Sequence, residues 1–211
     1  MEKIFAELLA RYPQLAGIRS EIEEATRQII QCFSAGNQLL ICGNGGSASD
    51  ADHIAGEFLK GFKSRRELSA AEKNKFNALF EEDGDFLAQK LQGGFPTVVL
   101  SSHTALLTAF GNDVDGELSF AQHLFAQGRS GDVLLGISTG GNASNICYAL
   151  MTARAKNISS ILLTGNTCGK CCQYADLVLA APESETFKIQ ELHLPIYHAI
   201  CAAVERYFYE K

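Results

Sequence analysis

Side chains able to transfer a proton or bind a metal follow a glycine-rich turn in CGNGGSASDADHIAGE, residues 42–57. His53 and Glu57 are four residues apart and Asp50 precedes His53 by three, so a helix would place all three on one face. Such side chains serve as acids, bases or metal ligands. An exposed His–Glu helix pair without a chemical role is the alternative interpretation.

The turn before this helix predicts an anion site. Gly43, Gly45 and Gly46 follow an apolar run, and the helix is predicted to begin with Ser47 or Ser49 as its N-cap. Backbone N–H groups and the helix dipole then point at the ligand. We therefore expect the ligand to carry a negative charge.

A second loop, GISTGGNASN at residues 136–145, again places hydroxyls and glycines between a strand and a helix. Ser138 and Thr139 add side-chain donors to the backbone N–H groups, which is enough to bind a phosphate without lysine or arginine. A phosphomonoester fits this loop better than a nucleotide. A helix start capped by serine or threonine is the alternative.

A nucleotide cofactor is not expected, although Gly43, Gly45 and Ala48 satisfy the G-x-G-x-x-A pattern. The dinucleotide fold needs a second strand ending in an acidic residue about 20 residues further on. Residues 60–66 are instead rich in lysine and arginine, and the next apolar run is far away. The G-x-x-x-x-G-K-[ST] motif of nucleoside triphosphatases does not occur in the sequence either.

The C-terminal segment KIQELHLPIYHAICAAVERYF supplies candidate partners for the acid–base residues. Polar side chains interrupt its apolar face at Gln190, His193, Tyr197 and His198. Buried polar groups need hydrogen-bond partners, and for His193 we expect a satisfied core histidine. Pro195 is predicted to kink the helix, because its ring clashes with the preceding turn.

Five apolar runs predict the sheet that positions these residues: 38–42, 97–101, 132–138, 160–165 and 176–180. Continuous apolar strands alternating with longer amphipathic segments favour a parallel sheet covered on both faces. Ligands of such sheets bind beyond the carboxyl ends of the strands, where both glycine-rich loops would lie.

The composition favours one domain spanning residues 1–211, because 211 residues that are 46% hydrophobic can form one sizeable core. Residues 63–94 interrupt the strand–helix alternation with a charged helical insertion. One or two amphipathic helices packed beside the site, or a solvated insertion, both explain this segment.

Charge and cysteine content exclude several classes. The net charge of -6, with scattered basic residues, indicates no nucleic-acid or membrane partner, and the N-terminus lacks a signal-peptide pattern. We expect a cytoplasmic protein. Cysteines in apolar segments predict reduced core residues, whereas Cys168–Cys172 is either a surface loop or a metal or redox site.

Together these motifs resemble the sugar isomerase (SIS) domain family. The resemblance lies in CGNGGSASDADHIAGE, GND at 111–113, GDVLLGISTGGN, LLTG and IQELHLPIYH, and covers nearly the whole chain outside residues 63–94. It implies a flavodoxin-like three-layer α/β sandwich with a five-stranded parallel sheet, and a homotetramer. The motifs are most similar to those of isomerases that convert sedoheptulose 7-phosphate to D-glycero-D-manno-heptose 7-phosphate through an enediolate.

The resemblance also implies roles for individual residues. It assigns catalysis to Glu57 and His198. The Zn²⁺ ligands of some members correspond to His53, Glu57, Gln190 and His198. Substrate contacts correspond to Asn44, Gly45, Gly46, Ser47, Asp113, Ser138 and Thr139. Gln190 and His198 are about 12 Å apart along a straight helix. Both can therefore bind one ion only if the helix is kinked or if one of them comes from a neighbouring subunit.

Departures from the family pattern leave the substrate open. Gly140 and Ala143 replace two hydroxyl residues, Gly61 replaces an arginine, and Phe187 replaces an aspartate. Another sugar phosphate is therefore an alternative substrate. A SIS protein that binds a sugar phosphate or a protein partner without catalysis, as does a regulator of the bacterial replication initiator, is the alternative function.

Overall fold

The computed structural model describes residues 1–209. Its helices are α1 (Glu2–Arg11), α2 (Arg19–Ser34), α3 (Gly46–Leu59), α4 (Ala70–Lys90), α5 (Thr104–Phe110), α6 (Ser119–Gln127), α7 (Ser144–Ala155) and α8 (Thr186–Tyr209). Its strands are β1 (Leu39–Gly43), β2 (Thr97–Val99), β3 (Val133–Ile137), β4 (Ser159–Gly165) and β5 (Leu177–Ala181). Each strand lies within or overlaps one of the five predicted apolar runs.

The strands form one parallel sheet in the order β2-β1-β3-β4-β5. The central pairing aligns Leu39 with Val133 and Gly43 with Ile137, so the loops after β1 and β3 leave the same edge side by side. Every residue of β1 and β3 is buried, which explains why both read as continuous apolar runs. The predicted parallel α/β sheet is confirmed.

Alternate residues of β1 separate the two halves of the core. Leu39 and Ile41 belong to a cluster with α2, α3 and α8 on one face of the sheet. Leu40 and Cys42 belong to a cluster with α6 and α7 on the other face. Because successive strand side chains point to opposite faces, each helical layer contacts its own set. The predicted three-layer architecture is confirmed.

The charged segment between α3 and β2 forms a protruding helical pair. Helix α4 begins with a capping box of Ser69 and Glu72 and is broken at Phe80 and Glu81, whose backbone angles are not helical. Within it only Gly84 and Ala88 are buried. Its exposed large apolar side chains include Leu79, Phe80 and Phe86. The single chain therefore leaves much of the apolar surface of this segment exposed, and whether the segment packs beside the site stays a prediction.

Helix α8 is the longest element and carries the polar residues noted in the C-terminal segment. It continues through Pro195 and packs against α2 and α3. His193 is fully buried, with Nε2 3.3 Å from the carbonyl oxygen of Thr164, as expected for a core histidine. No helix within residues 1–209 has both the length and the apolar character needed to cross a membrane.

Candidate active site

The glycine-rich turn after β1 leads directly into α3. Gly45 is the N-cap, with φ 55° and ψ −121°, and no side chain caps the helix. The prediction of Ser47 or Ser49 as N-cap is wrong, because Gly45 turns the chain earlier through a conformation that other residues rarely adopt. Gly43 must also lack a side chain, since a Cβ there would overlap the backbone of Ser47.

The two predicted anion loops meet at the edge of the sheet. The side-chain amides of Asn44 and Asn145 donate to each other over 2.9 Å in both directions. Ser47 and Ser138 are buried beside these loops, and Thr139 accepts a hydrogen bond at its carbonyl from the N–H of Gly165 over 2.9 Å. The carboxyl ends of β1 and β3 thus present hydroxyl groups and a helix N-terminus together.

His53, Glu57 and His198 form a compact cluster on α3 and α8. His53 Nε2 lies 3.2 Å from Glu57 Oε1 and 3.4 Å from His198 Nε2. One ligand atom from each residue lies within 4.8 Å of the other two. The helical spacing predicted from the sequence therefore brings the two predicted catalytic residues and His53 to one point.

Asp50 and Tyr197 form a hydrogen-bonded chain that ends at Nδ1 of His53, whereas Glu57 and His198 lie near its Nε2. The hydroxyl of Tyr197 donates to Asp50 Oδ1 over 3.3 Å and lies 3.0 Å from His53 Nδ1. When Tyr197 donates its proton to Asp50, His53 donates its Nδ1–H to the tyrosine oxygen and keeps a lone pair on Nε2. In that tautomer Nε2 can accept a proton or ligate a cation.

Burial shapes the protonation of this cluster. Desolvation and the nearby His53 lower the pKa of His198 from its ordinary 6.5, so its imidazole is neutral at neutral pH. Desolvation raises the pKa of Asp50, against the hydrogen bond from Tyr197. Glu57 Oε2 is buried without a hydrogen-bond partner. These environments suit a neutral base beside a carboxylate with a free oxygen.

Gln190 lies at the other end of the same helix pair. Gly46 on α3 lies against the side-chain amide of Gln190 on α8, because a Cβ on Gly46 would overlap that amide. Seven residues later on α3, His53 contacts Tyr197 and His198, which follow Gln190 by seven and eight residues on α8. Helices α3 and α8 therefore run in the same direction, and Gln190 is about 10–12 Å along their axes from His53. Gln190 is placed beside the first anion loop.

Asp113 occupies a separate, exposed segment. It lies in the π-helical turn Gly111–Asp115, where its Oδ1 accepts a hydrogen bond of 2.9 Å from the amide of Asn112. Within residues 1–209, no described hydrogen bond joins it to His53, Glu57 or His198. Its predicted contact with substrate stays a prediction.

A cavity of about 430 Å³ opens next to His198, between α1 and α8. Arg11 and Lys63 lie on its wall among mainly apolar residues. Arg11 contributes to the lowered pKa of His198. The imidazole of His198 thus lies close to the Glu57 carboxylate and also lines a cavity large enough for part of a small ligand.

Comparison with known families agrees with this geometry. Models of the SIS domain match residues 5–75 and 101–206. The chain belongs to the SIS domain family. A phosphoheptose isomerase of Aneurinibacillus thermoaerophilus is 40% identical over 184 residues, which is 87% of this chain and 80% of the relative. One from Burkholderia pseudomallei strain K96243 is 36% identical over 210 residues, 100% of this chain and 91% of the relative.

Solved structures of this SIS domain family agree as well. The phosphoheptose isomerase of Neisseria gonorrhoeae superimposes with a TM-score of 0.74 at 30% identity, covering 95% of this chain and 94% of that chain. The phosphoheptose isomerase of Francisella tularensis gives a TM-score of 0.76 at 25% identity. The fold predicted from the resemblance is therefore confirmed along nearly the whole SIS chain.

The donor set of the cluster fits a divalent cation such as Zn²⁺. Two imidazoles and one carboxylate are the ligand types that Zn²⁺ prefers, and Oε2 of Glu57 accepts no hydrogen bond, with Nζ of Lys60 3.8 Å away. The Tyr197 contact supplies the outer hydrogen bond that ligating histidines usually make. Gln190 as a fourth ligand stays a prediction.

Among the sequence departures, Gly61 has a local structural explanation, whereas nothing in the structure explains Gly140, Ala143 or Phe187. A Cβ on Gly61 would overlap the carbonyl oxygen of Ser64, so no side chain fits there in this loop. Gly140 and Phe187 are exposed, with 56% of Phe187 accessible. Sequence reasoning missed the partner of Asn44, because an asparagine pair between two loops leaves no periodic signal.

Proposed function

We propose that this protein is a ketose–aldose isomerase that converts sedoheptulose 7-phosphate to D-glycero-D-manno-heptose 7-phosphate. One observation carries the proposal: the Glu57 carboxylate on α3 and the neutral His198 imidazole on α8 both lie next to His53. The first anion loop forms the N-terminus of α3. The phosphoheptose isomerase relatives support the substrate.

Glu57 and His198 perform the two proton transfers of such a reaction. The Glu57 carboxylate removes a proton from C1 of the ketose, which gives an enediolate, and then delivers a proton to C2. His198, neutral at the working pH, moves a proton between the oxygens on C1 and C2. Each residue contributes about 10²–10⁴-fold when it is well placed.

The loops after β1 and β3 hold the phosphate of the substrate. Ser47, Ser138 and Thr139 supply hydroxyl donors, and Gly45 and Gly46 allow the backbone N–H groups to approach an anion closely. The amide of Asn44 fixes the distance between the two loops through its pair with Asn145. Asp113 contributes a further substrate contact.

His53, Glu57 and His198 would hold Zn²⁺, and a Gln190 ligand would have to come from a neighbouring subunit, because Gln190 of the same chain lies beside Gly46. When bound, the ion polarises the substrate carbonyl and stabilises the negative charge of the enediolate oxygen. The residues around it keep His53 in the tautomer with a free Nε2. No nucleotide cofactor takes part.

The protein acts as a cytoplasmic homotetramer. The exposed apolar side chains support association, since a protein rarely leaves clustered large apolar groups in water. They include Leu79, Phe80 and Phe86 on the helical pair and Leu194, Tyr207 and Phe208 on α8. The net charge of -6 supports the absence of nucleic-acid and anionic-membrane partners.

A proton-exchange assay tests the reaction and its residues together. Sedoheptulose 7-phosphate is incubated in D₂O and followed by NMR with the wild type, Glu57→Gln and His198→Ala, each with and without added Zn²⁺. We expect aldose formation and deuterium incorporation by the wild type and a loss of at least about 100-fold in each variant. Glu191→Gln and Tyr207→Phe, both at exposed positions on α8, are the control variants.

The same assay separates the alternative function. A wild type that the sugar phosphate protects against thermal unfolding, but that exchanges no deuterium, would be a non-catalytic sugar-phosphate binder or an isomerase of another substrate. Equal loss in the control variants would instead show that the substitutions act through folding. The first result would contradict the proposed reaction of sedoheptulose 7-phosphate, and the second would contradict the roles assigned to Glu57 and His198.

A further inference from the structure

Four cysteines gather in and beside the loop that follows β4. Cys168 and Cys172 form a disulfide. Cys171, between them in sequence, is buried, and its sulfur lies 2.7 Å from that of Cys147 on α7. This cluster lies apart from His53 and its neighbours, and the proposed reaction uses none of its side chains.

The disulfide loop packs directly against the second anion loop. The N–H of Cys171 donates to the carbonyl of Gly141 over 2.8 Å, and the N–H of Lys170 donates to Oδ1 of Asn142 over 3.0 Å. Gly141 and Gly169 both have positive φ, and a Cβ on either one would overlap the backbone of the other loop. The position of residues 138–142 therefore depends on the position of residues 168–171.

An unfavourable backbone conformation lies at the disulfide, next to this contact. Cys168 has φ 60°, in the left-handed region that residues other than glycine rarely adopt. Its carbonyl is the group that faces Gly141. Because the covalent bond to Cys172 fixes the side chain of Cys168, opening it would let Cys168 leave this conformation and move the carbonyl that supports the anion loop.

Only one of the two cysteine pairs is open to solvent. Cys168 and Cys172 are half-buried in a loop whose Thr167, Lys170 and Gln173 are exposed. Cys147 and Cys171 are both buried away from reagents, and desolvation raises the pKa of the Cys171 thiol, which keeps that thiol protonated. Thiol chemistry is therefore directed to the Cys168–Cys172 bond.

We propose that the Cys168–Cys172 disulfide is a reducible site that controls sugar-phosphate binding through the loop at residues 136–145. The proposal rests on the proposed function, because that function assigns this loop to the substrate phosphate. Disulfides of cytoplasmic proteins are usually transient or redox-sensing, which agrees with an exposed bond on a loop. The oxidised form binds the sugar phosphate tightly and the reduced form binds it weakly.

The chemistry requires a dithiol reductant. One thiolate of the reductant attacks a sulfur of the Cys168–Cys172 bond, forms a mixed disulfide and releases one cysteine thiolate, which takes up a proton. The second reductant thiol attacks the mixed disulfide, releases the other cysteine and leaves as the oxidised cyclic disulfide. Two electrons and two protons are transferred to the protein.

A thiol count tests the covalent part of the inference without any substrate. Alkylation of the denatured oxidised protein should label five cysteines, and alkylation after treatment with dithiothreitol should label seven. Peptide mapping of the oxidised protein should recover Cys168 linked to Cys172. A bond mapped between Cys147 and Cys171, or seven free thiols after mild oxidation, would overturn the proposal.

Binding and turnover test the control of the loop. We expect reduction to raise the KM for sedoheptulose 7-phosphate and the Kd for inorganic phosphate about three- to tenfold, the effect of one or two weakened hydrogen bonds, with kcat unchanged. The double variant Cys168→Ser/Cys172→Ser should match the reduced wild type and ignore dithiothreitol. Cys32→Ser, at a buried position in α2, should respond like the wild type.

These readouts also separate this inference from the proposed function. Equal Kd values for phosphate in both redox forms would overturn the inference, whether or not the enzyme turns over sedoheptulose 7-phosphate. A redox-dependent Kd for phosphate without turnover would retain the inference and contradict the substrate. Hydrogen exchange of the amides of residues 138–142, faster in the reduced form, is the supporting result if the double variant is unstable.

Discussion

Arg66 and Glu205 form an ion pair of 2.7 Å between the loop after α3 and the end of α8, and both side chains are almost fully buried. Glu205 also accepts hydrogen bonds from the backbone N–H groups of Phe62, Lys63 and Ser64. Arg66 also donates to the carbonyls of Phe58 and Glu57 at the end of α3. The pair therefore joins the helix that carries Glu57 to the helix that carries His198.

Breaking this pair should destabilise the fold strongly. Glu205→Gln keeps the size of the side chain but leaves the Arg66 charge buried without its counterion. We expect the free energy of unfolding, measured by urea denaturation, to fall by about 3–5 kcal/mol. Glu67→Gln is the matched control, because Glu67 pairs with Lys73 at the solvent-exposed surface and its loss should change stability much less. Similar losses in both variants would contradict the prediction.

The same carboxylate should make the protein sensitive to acid. Burial alone would raise the pKa of Glu205, but hydrogen bonds from Phe62, Lys63 and Arg66 outweigh it, and the pKa falls below its ordinary 4.5. In the interval between the folded pKa and 4.5 the unfolded chain binds more protons, so stability falls as pH falls. The contribution of Glu205 to the free energy of unfolding is complete above its unfolded pKa of 4.5. It is lost as the pH falls through its lower pKa in the folded protein.

Urea denaturation of the wild type and Glu205→Gln between about pH 6 and pH 3 measures this contribution. We expect the difference in unfolding free energy between the two proteins to stay constant above pH 4.5 and to shrink below it. A difference that widens on acidification would show that the pKa of Glu205 is raised in the folded protein.

Two glycines of the β1–α3 unit should respond to alanine with opposite signs. A Cβ on Gly43 would overlap the backbone of Ser47, so Gly43→Ala should lower the free energy of unfolding by about 1–3 kcal/mol. A Cβ on Gly56, inside α3, meets no atom within 4 Å. Gly56→Ala should therefore stabilise the helix by about 0.5–1 kcal/mol. Thermal and urea unfolding of both variants test the difference in sign.

The sequence predicted the sheet and the main cluster because both depend on short-range patterns. Residues 39–43 and 133–137 are buried on both faces and therefore read as unbroken apolar runs. His53 and Glu57 share a helix face through their spacing alone. The N-cap was missed because Gly45 takes a positive φ, which serine-based capping rules do not anticipate.

Contacts between distant segments could not be predicted in the same way. Arg66 and Glu205 are 139 residues apart, and each looks like an ordinary surface charge in the sequence. The Cys168–Cys172 bond is local in sequence, but it depends on the irregular turn at residues 168–172, which leaves no periodic pattern. Hydrophobic periodicity indicates which face of a helix or strand is buried, but it does not indicate which polar group of another segment contacts that face.

Tyr197 should act as a positioning residue for His53. Tyr197→Phe removes the hydroxyl that accepts from His53 Nδ1 and donates to Asp50. His53 can then adopt the other tautomer, which turns an N–H toward Glu57 and withdraws the lone pair from the cluster. We expect Zn²⁺ affinity and kcat to fall about 10–100-fold, the usual effect of losing an outer hydrogen bond, while KM changes little.

A competition titration with a chromophoric chelator measures the Zn²⁺ affinity, and ¹⁵N NMR shifts of the histidine rings report the tautomer of His53 directly. Tyr207→Phe, an exposed tyrosine of the same helix, is the matched control and should leave both unchanged. If Tyr197→Phe lost affinity but kept the His53 tautomer, the tyrosine would act on packing alone. Loss of affinity together with the tautomer change is what the hydrogen-bond chain from Asp50 through Tyr197 requires, because within residues 1–209 the described hydrogen bonds of that chain reach His198 through His53.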